Sequence, residues 1–172
     1  MSAVEGRDNK RSLYTPAERA RRDASRWTQV QGILAPLQFV VFLVSCWLVL
    51  RYLLTGDGLA TATASVIIKT GVLYTIMVTG AIWEREVFGQ YLFARPFFWE
   101  DVVSFLVLAL HTAYLAAFFG GFLGPHGQMY LALAAYAAYV INATQFLLKL
   151  RRARLEPVEE GAHEPAGAVF AE

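Results

Sequence analysis

Four apolar stretches dominate the chain: roughly Ile33 to Leu54, Ala62 to Trp83, Phe97 to Phe119 and Met129 to Leu150. Each is about 20 residues long, the length a helix needs to cross a bilayer core of about 30 Å. Apolar residues make up 56% of the chain and the mean hydropathy is +0.42, too apolar for an ordinary soluble domain. The connections are short and carry turn signals, Thr55-Gly56-Asp57-Gly58 and Gly120-Gly121 through Gly124-Pro125. Short connections favour an up-down-up-down arrangement. The expected fold is therefore all-α, an integral membrane four-helix antiparallel bundle.

The flanks divide the chain further. Residues 1–30 are polar and basic, without the apolar core or small-residue cleavage site of a signal peptide. Within them, Thr15-Pro16-Ala17-Glu18 combines an N-cap Thr, a proline at the first helical position and a Glu three residues on. That is a capping box, and the Arg-rich turn and Trp27 after it predict a short interfacial helix. Residues 31–155 form the bundle, and 156–172 read as a disordered acidic tail like the polar residues 1–12. Lys and Arg crowd the N-terminal segment, the loop holding Arg85 and Arg95, and the segment after span four. The positive-inside rule then places both termini in the cytoplasm. Topology explains the basic clusters, so nucleic-acid binding is not expected. Cys46, the one cysteine, excludes an intrachain disulfide, and no Cys/His spacing suits a metal site.

Ionisable groups inside spans are costly and usually face a bundle interior or a wet cavity. Glu100 and Asp101 open span three, and His111 lies eleven residues beyond Glu100 in the same span. At about 100° per residue, Glu100, Ser104, Val107 and His111 share one face, with Asp101, Phe105, Leu108 and Thr112 on the next stripe. Glu84, Gln38, Asn142 and Gln145 come to the cytoplasmic half from the other three spans, while Lys69 and His111 lie deeper. Each group has a structural alternative. Glu100 and Asp101 suit a helix N-terminus, Glu84 could pair with Arg85 or Arg95, and Lys69 could snorkel. His111, Asn142 and Gln145 could be interhelical glue. Pro36, beside Gln38, removes a backbone donor and is a candidate kink.

Longer motifs carry a resemblance. Tyr14 to Ser25, Trp27-Thr28, Val30 to Phe39, Lys69-Thr70, Tyr74 to Glu84, Phe97 to Ser104, Tyr139 to Asn142 and Gln145 to Leu150 resemble the 3-vinyl bacteriochlorophyllide hydratase family, 2-vinyl in the older numbering. The resemblance runs from about Leu13 to about Leu155. It implies a hydro-lyase of bacteriochlorophyll biosynthesis that hydrates the vinyl group on ring A of chlorophyllide a, or of a related bacteriochlorin, to 1-hydroxyethyl. It implies no redox cofactor and no catalytic metal, since the magnesium belongs to the substrate. It supplies no residue roles, so these follow from the chemistry.

Protonating the terminal vinyl carbon leaves a cation next to the macrocycle, and water adds there. The reaction needs a general acid, a base-held water and negative potential. Glu100 or Asp101 fits the acid, with Glu84, Asn142 or Gln145 holding the water. Phe98 and Trp99 are candidate stacking residues, and Gln38, Gln145 and Lys69 further substrate contacts. His111, or a plain water, is the candidate axial ligand of the substrate's magnesium. Arg95 or Arg85 is the candidate partner of its propionate. The expected partners are this pigment and the bilayer, with other pigment enzymes or a second copy as further candidates. Two other classes remain: a non-catalytic tetrapyrrole carrier, and a proton-coupled transporter. The latter is disfavoured by four spans and no paired Gly/Pro-interrupted segments.

Overall fold

The protein is described here by a computed structural model covering residues 13–155. The two tails expected to be disordered, 1–12 and 156–172, lie outside the described residues. Five helices follow one another: α1 (Pro16–Ala24), α2 (Arg26–Thr55), α3 (Leu59–Phe88), α4 (Phe98–Gly120) and α5 (Pro125–Leu155). The last four are long and apolar enough to cross a membrane. Their outer faces carry large exposed apolar side chains, among them Ile33, Leu54 and Phe119 at 70–84% exposure. Water would not tolerate a surface of that kind, and lipid does. The expected all-helical membrane bundle is the fold found.

Local chemistry sets the helix ends. Thr15 caps α1 with both arms of the capping box in place. Ser25 separates α1 from α2, and its hydroxyl accepts from the Trp27 amide at 3.2 Å. Trp27 therefore starts the first long helix instead of closing the interfacial one. The helix runs unbroken through Pro36 and begins seven residues before the apolar stretch at Ile33. Its polar first turns bond across to α3: Ser25 donates to Glu86 at 2.8 Å, Trp83 to Thr28 at 2.9 Å, and Gln31 to Thr79 at 2.7 Å. Turning from α2 into α3 requires left-handed backbone at Gly56 (φ 78°) and Gly58 (φ 87°), which only glycine adopts without penalty.

Packing is uneven around the bundle. The hairpins α2–α3 and α4–α5 are intimate, whereas α3–α4 and α2–α5 meet more loosely. The main core runs along the bundle through Phe42, Val49, Val66, Leu73, Val107, Tyr114, Met129 and Tyr136. A second, aromatic cluster closes the end where α1 and the last turns of α5 lie: Tyr14, Val87 and Phe97, with Trp83, Phe88 and Phe146 against them. Tyr14 stacks on Phe88 and Phe97 on Phe146, each at 5.8 Å between ring centroids. Burial pushes the Tyr14 phenol up to about 12, so the plug is uncharged at physiological pH.

Candidate active site

The buried stripe of α4 is Glu100, Asp101, Ser104, Val107, His111, Tyr114 and Ala117. These positions recur at three- and four-residue steps, as one face of a helix must. Glu100 and Asp101 sit in its first turn, where the helix dipole favours negative charge. On α3, burial follows Ala62, Val66, Lys69 and Leu73 at the same steps, lapses, and returns at Glu84 and Val87. Antiparallel packing sets Glu84 beside the start of α4.

The segment between α3 and α4 builds the site. Phe93 has left-handed backbone, φ 59°, unusual for a bulky residue. The bend aims two successive amides at two acids. Phe93 N–H donates to Asp101 Oδ2 at 2.6 Å, and Ala94 N–H donates to Glu84 Oε2 at 3.2 Å. The two carboxyl groups are neighbours and interact electrostatically. Both are buried, 4% exposed for Asp101 and 5% for Glu84. Two buried acids side by side repel each other when both are ionised, so the arrangement suits a pair that shares one proton.

Glu100 has a different environment. It forms an ion pair with Lys149 at 2.5 Å, and Lys149 also donates to the Pro96 carbonyl. The lysine ammonium lies 5.1 Å from the Phe97 ring centroid. Asn142 donates to Ser104 Oγ at 2.6 Å, one turn below the acids, and its Oδ1 has no partner within the protein. Gln38 and Gln145 each keep an unpartnered Oε1 at this end of the bundle.

A second polar level lies deeper. Lys69 and His111 are both fully buried. His111 Nδ1 stands 2.8 Å from the Val107 carbonyl oxygen. That oxygen can only accept, so Nδ1 carries the hydrogen and Nε2, which has no partner, presents a lone pair when the ring is neutral. Lys69 Nζ sits 4.0 Å above the Tyr139 ring. Alongside the two levels, an open groove of about 300 Å³ lies in the loose α3–α4 seam, lined by Tyr74, Met77, Val78, Leu108 and Thr112, with Val78 and Thr112 exposed.

Of the residues expected from sequence to form a site, Glu84, Asp101, Glu100 and Asn142 come together at one end with Gln38 and Gln145 near them. Lys69 and His111 share the deeper level. Phe98 and Trp99 lie on the outside of the first turn of α4, Trp99 at 69% exposure, and Arg95 is exposed in the loop. Glu84 pairs with neither Arg85 nor Arg95. Arg85 lies over the Tyr91 ring at 4.5 Å. Sequence reasoning passed over Lys149, filed with the basic residues that set topology. Its spacing was the available signal, since it stands two turns beyond Asn142 on the same face of α5. The Phe93 and Ala94 amides left no signal, because a backbone amide has no residue type. Among the described residues, no group of three or more His, Cys, Asp or Glu side chains is placed to hold a metal ion.

Comparison with known proteins shows the family. Residues 14–152 match the family model described as 2-vinyl bacteriochlorophyllide hydratase. Two curated relatives carry that same name. The one from Cereibacter sphaeroides is 72% identical over 147 residues, covering 85% of this chain and 91% of the relative. The one from Rhodobacter capsulatus is 65% identical over 154 residues, covering 90% of each chain. No solved structure matches the chain.

Proposed function

We propose, from the premise that this chain belongs to the 2-vinyl bacteriochlorophyllide hydratase family, that it adds water across the ring-A vinyl group of a chlorophyllide at the Glu84–Asp101 pair. The chain is a membrane hydratase of bacteriochlorophyll biosynthesis. The observation that carries the site assignment is the buried carboxyl pair, each member held by one backbone amide.

Hydration by this route consumes and restores one proton. The protonated member of the pair gives its proton to the terminal vinyl carbon, whose π electrons form the new C–H bond. The neighbouring carbon becomes a cation, spread over the macrocycle and stabilised by the carboxylate just formed. Water adds to that carbon and releases a proton to the pair, which returns to its starting state. The product is the 1-hydroxyethyl group. Water addition leaves the substrate at the same overall oxidation level, so no redox cofactor enters, and the magnesium arrives with the substrate. Ser104 and the free Asn142 Oδ1, next to the acids, orient the water. Lys149 fixes the position of Glu100 beside the pair through their ion pair.

The Lys and Arg distribution supports a cytoplasmic position for this end of the bundle and for both termini, within the bacterial inner membrane.

The test is direct. Membranes carrying the chain, incubated with 3-vinyl chlorophyllide a, should yield a product heavier by one water, with its long-wavelength absorption band moved to the blue. Tight binding with no change in mass would overturn the hydratase reading in favour of a carrier.

A further inference from the structure

Lys69 is the least accommodated charge in the bundle. Its side chain is 0% exposed and Nζ has no hydrogen-bond partner among the described residues. The ion pairs among the described residues are Arg22–Asp23 and Lys149–Glu100, so no carboxylate of these residues compensates it. The Tyr139 face attracts the ammonium but neutralises nothing, and His111 offers at most a lone pair. A buried cation left in this state is strongly disfavoured until an anion joins it.

We propose that Lys69 is the anchor for the propionate carboxylate of the tetrapyrrole, with the macrocycle in the α3–α4 seam and its vinyl edge at Glu84 and Asp101. This rests on the hydratase reading and extends it to the orientation of the substrate. Three observations converge. The groove in the seam is apolar, and the chain positions that line it fall between the acids and the lysine: Tyr74, Met77 and Val78 lie between Lys69 and Glu84 on α3. On α4, Leu108 lies between Asp101 and His111, and Thr112 directly follows His111. Secondly, the separation suits the ligand. Lys69 and Glu84 stand about 22 Å apart along α3, a span that their two side chains shorten, and the vinyl of ring A and the propionate of ring D project from opposite edges of the macrocycle. Thirdly, the seam is the loose one, and a single side-chain bond, Tyr74 hydroxyl to Thr112 Oγ1 at 2.8 Å, crosses it at the groove. A flat pigment dissolved in the bilayer enters there without parting either tight hairpin. The rim arginines are poorer anchors, since Arg85 and Arg95 are exposed and water screens their charge.

A carboxylate anchor makes the enzyme selective for the free acid, so hydration precedes any reaction that esterifies the propionate. The experiment compares chlorophyllide a with its propionate methyl ester, in detergent-solubilised full-length protein. Wild type should show a KM about 10–100-fold lower for the acid, the range of a hydrogen bond to a charged group. Lys69→Met should raise the KM of the acid to that of the ester, with kcat changed far less, and Lys69→Arg should keep most of the preference. Lys69→Gln serves as a second neutral variant should the methionine variant fail to accumulate. Equal acid-to-ester preference in wild type and in a neutral variant would overturn the proposal. If wild type hydrates neither pigment, the hydratase reading fails. The anchor is then judged by absorbance titration of the same two pigments, where loss of acid selectivity in Lys69→Met is still required.

Discussion

The two polar levels of the bundle differ in how their charges are met. At the level of the α3–α4 loop the three acids have partners: Glu84 and Asp101 have loop amides, and Glu100 has Lys149. At the deeper level, Lys69 Nζ and His111 Nε2 have none. The cause is backbone. Near the membrane edge, α3 ends and α4 begins, and the intervening loop has amides to spare. In mid-bundle all the amides are consumed by helical hydrogen bonds, so a buried charge there depends on side chains or on a ligand. In the proposed assignment the first level reacts and the second receives.

That contrast is open to attack at several points. The largest effect is expected from Asp101→Asn and Glu84→Gln, which keep shape but remove the shared proton. Each should lower the hydration rate about 10²–10⁴-fold, and the double variant should be little worse than the poorer single one, because the pair acts as a unit. Rates near wild type in both single variants would refute the assignment, and a Glu100→Gln variant slower than either would move the acid to Glu100.

Next comes the ion pair. Lys149→Met leaves Glu100 buried without its cation, a loss of about 3–5 kcal/mol for a buried pair broken on one side, and less here because Lys149 is partly exposed. The thermal midpoint in detergent should fall, and adding Glu100→Gln should restore most of it. If the second substitution restores nothing, Lys149 acts through Pro96 and Phe97 instead.

A smaller change should follow from Asn142→Ala, which strips Ser104 of its donor at a cost of about 1–3 kcal/mol. Its kcat should fall while acid-over-ester selectivity stays, since that selectivity belongs to the other level. The smallest effect has the opposite sign. Without pigment, Lys69→Met should melt no lower than wild type, because an unmatched buried cation is replaced by an apolar chain. A clear drop in melting temperature would show Lys69 to be a structural partner already satisfied in the free protein.

Hydropathy alone determined that four helices cross the membrane, where they turn and which face of α4 is polar, because length, glycine turns and the 3.6-residue period are local properties. The stripe Glu100, Ser104, Val107, His111 was readable for the same reason. Only the tertiary structure decided the pairings. Glu84 meets Asp101 instead of the adjacent arginines, Glu100 meets Lys149 from the far end of α5, and Phe98 and Trp99 turn outward. Pairing depends on how each helix is rotated against its neighbours and on one left-handed residue, Phe93, that aims two amides at two acids. The hydrophobic period leaves that rotation undetermined to within a side chain, and a backbone bend of this kind has no signature in the residue types that make it.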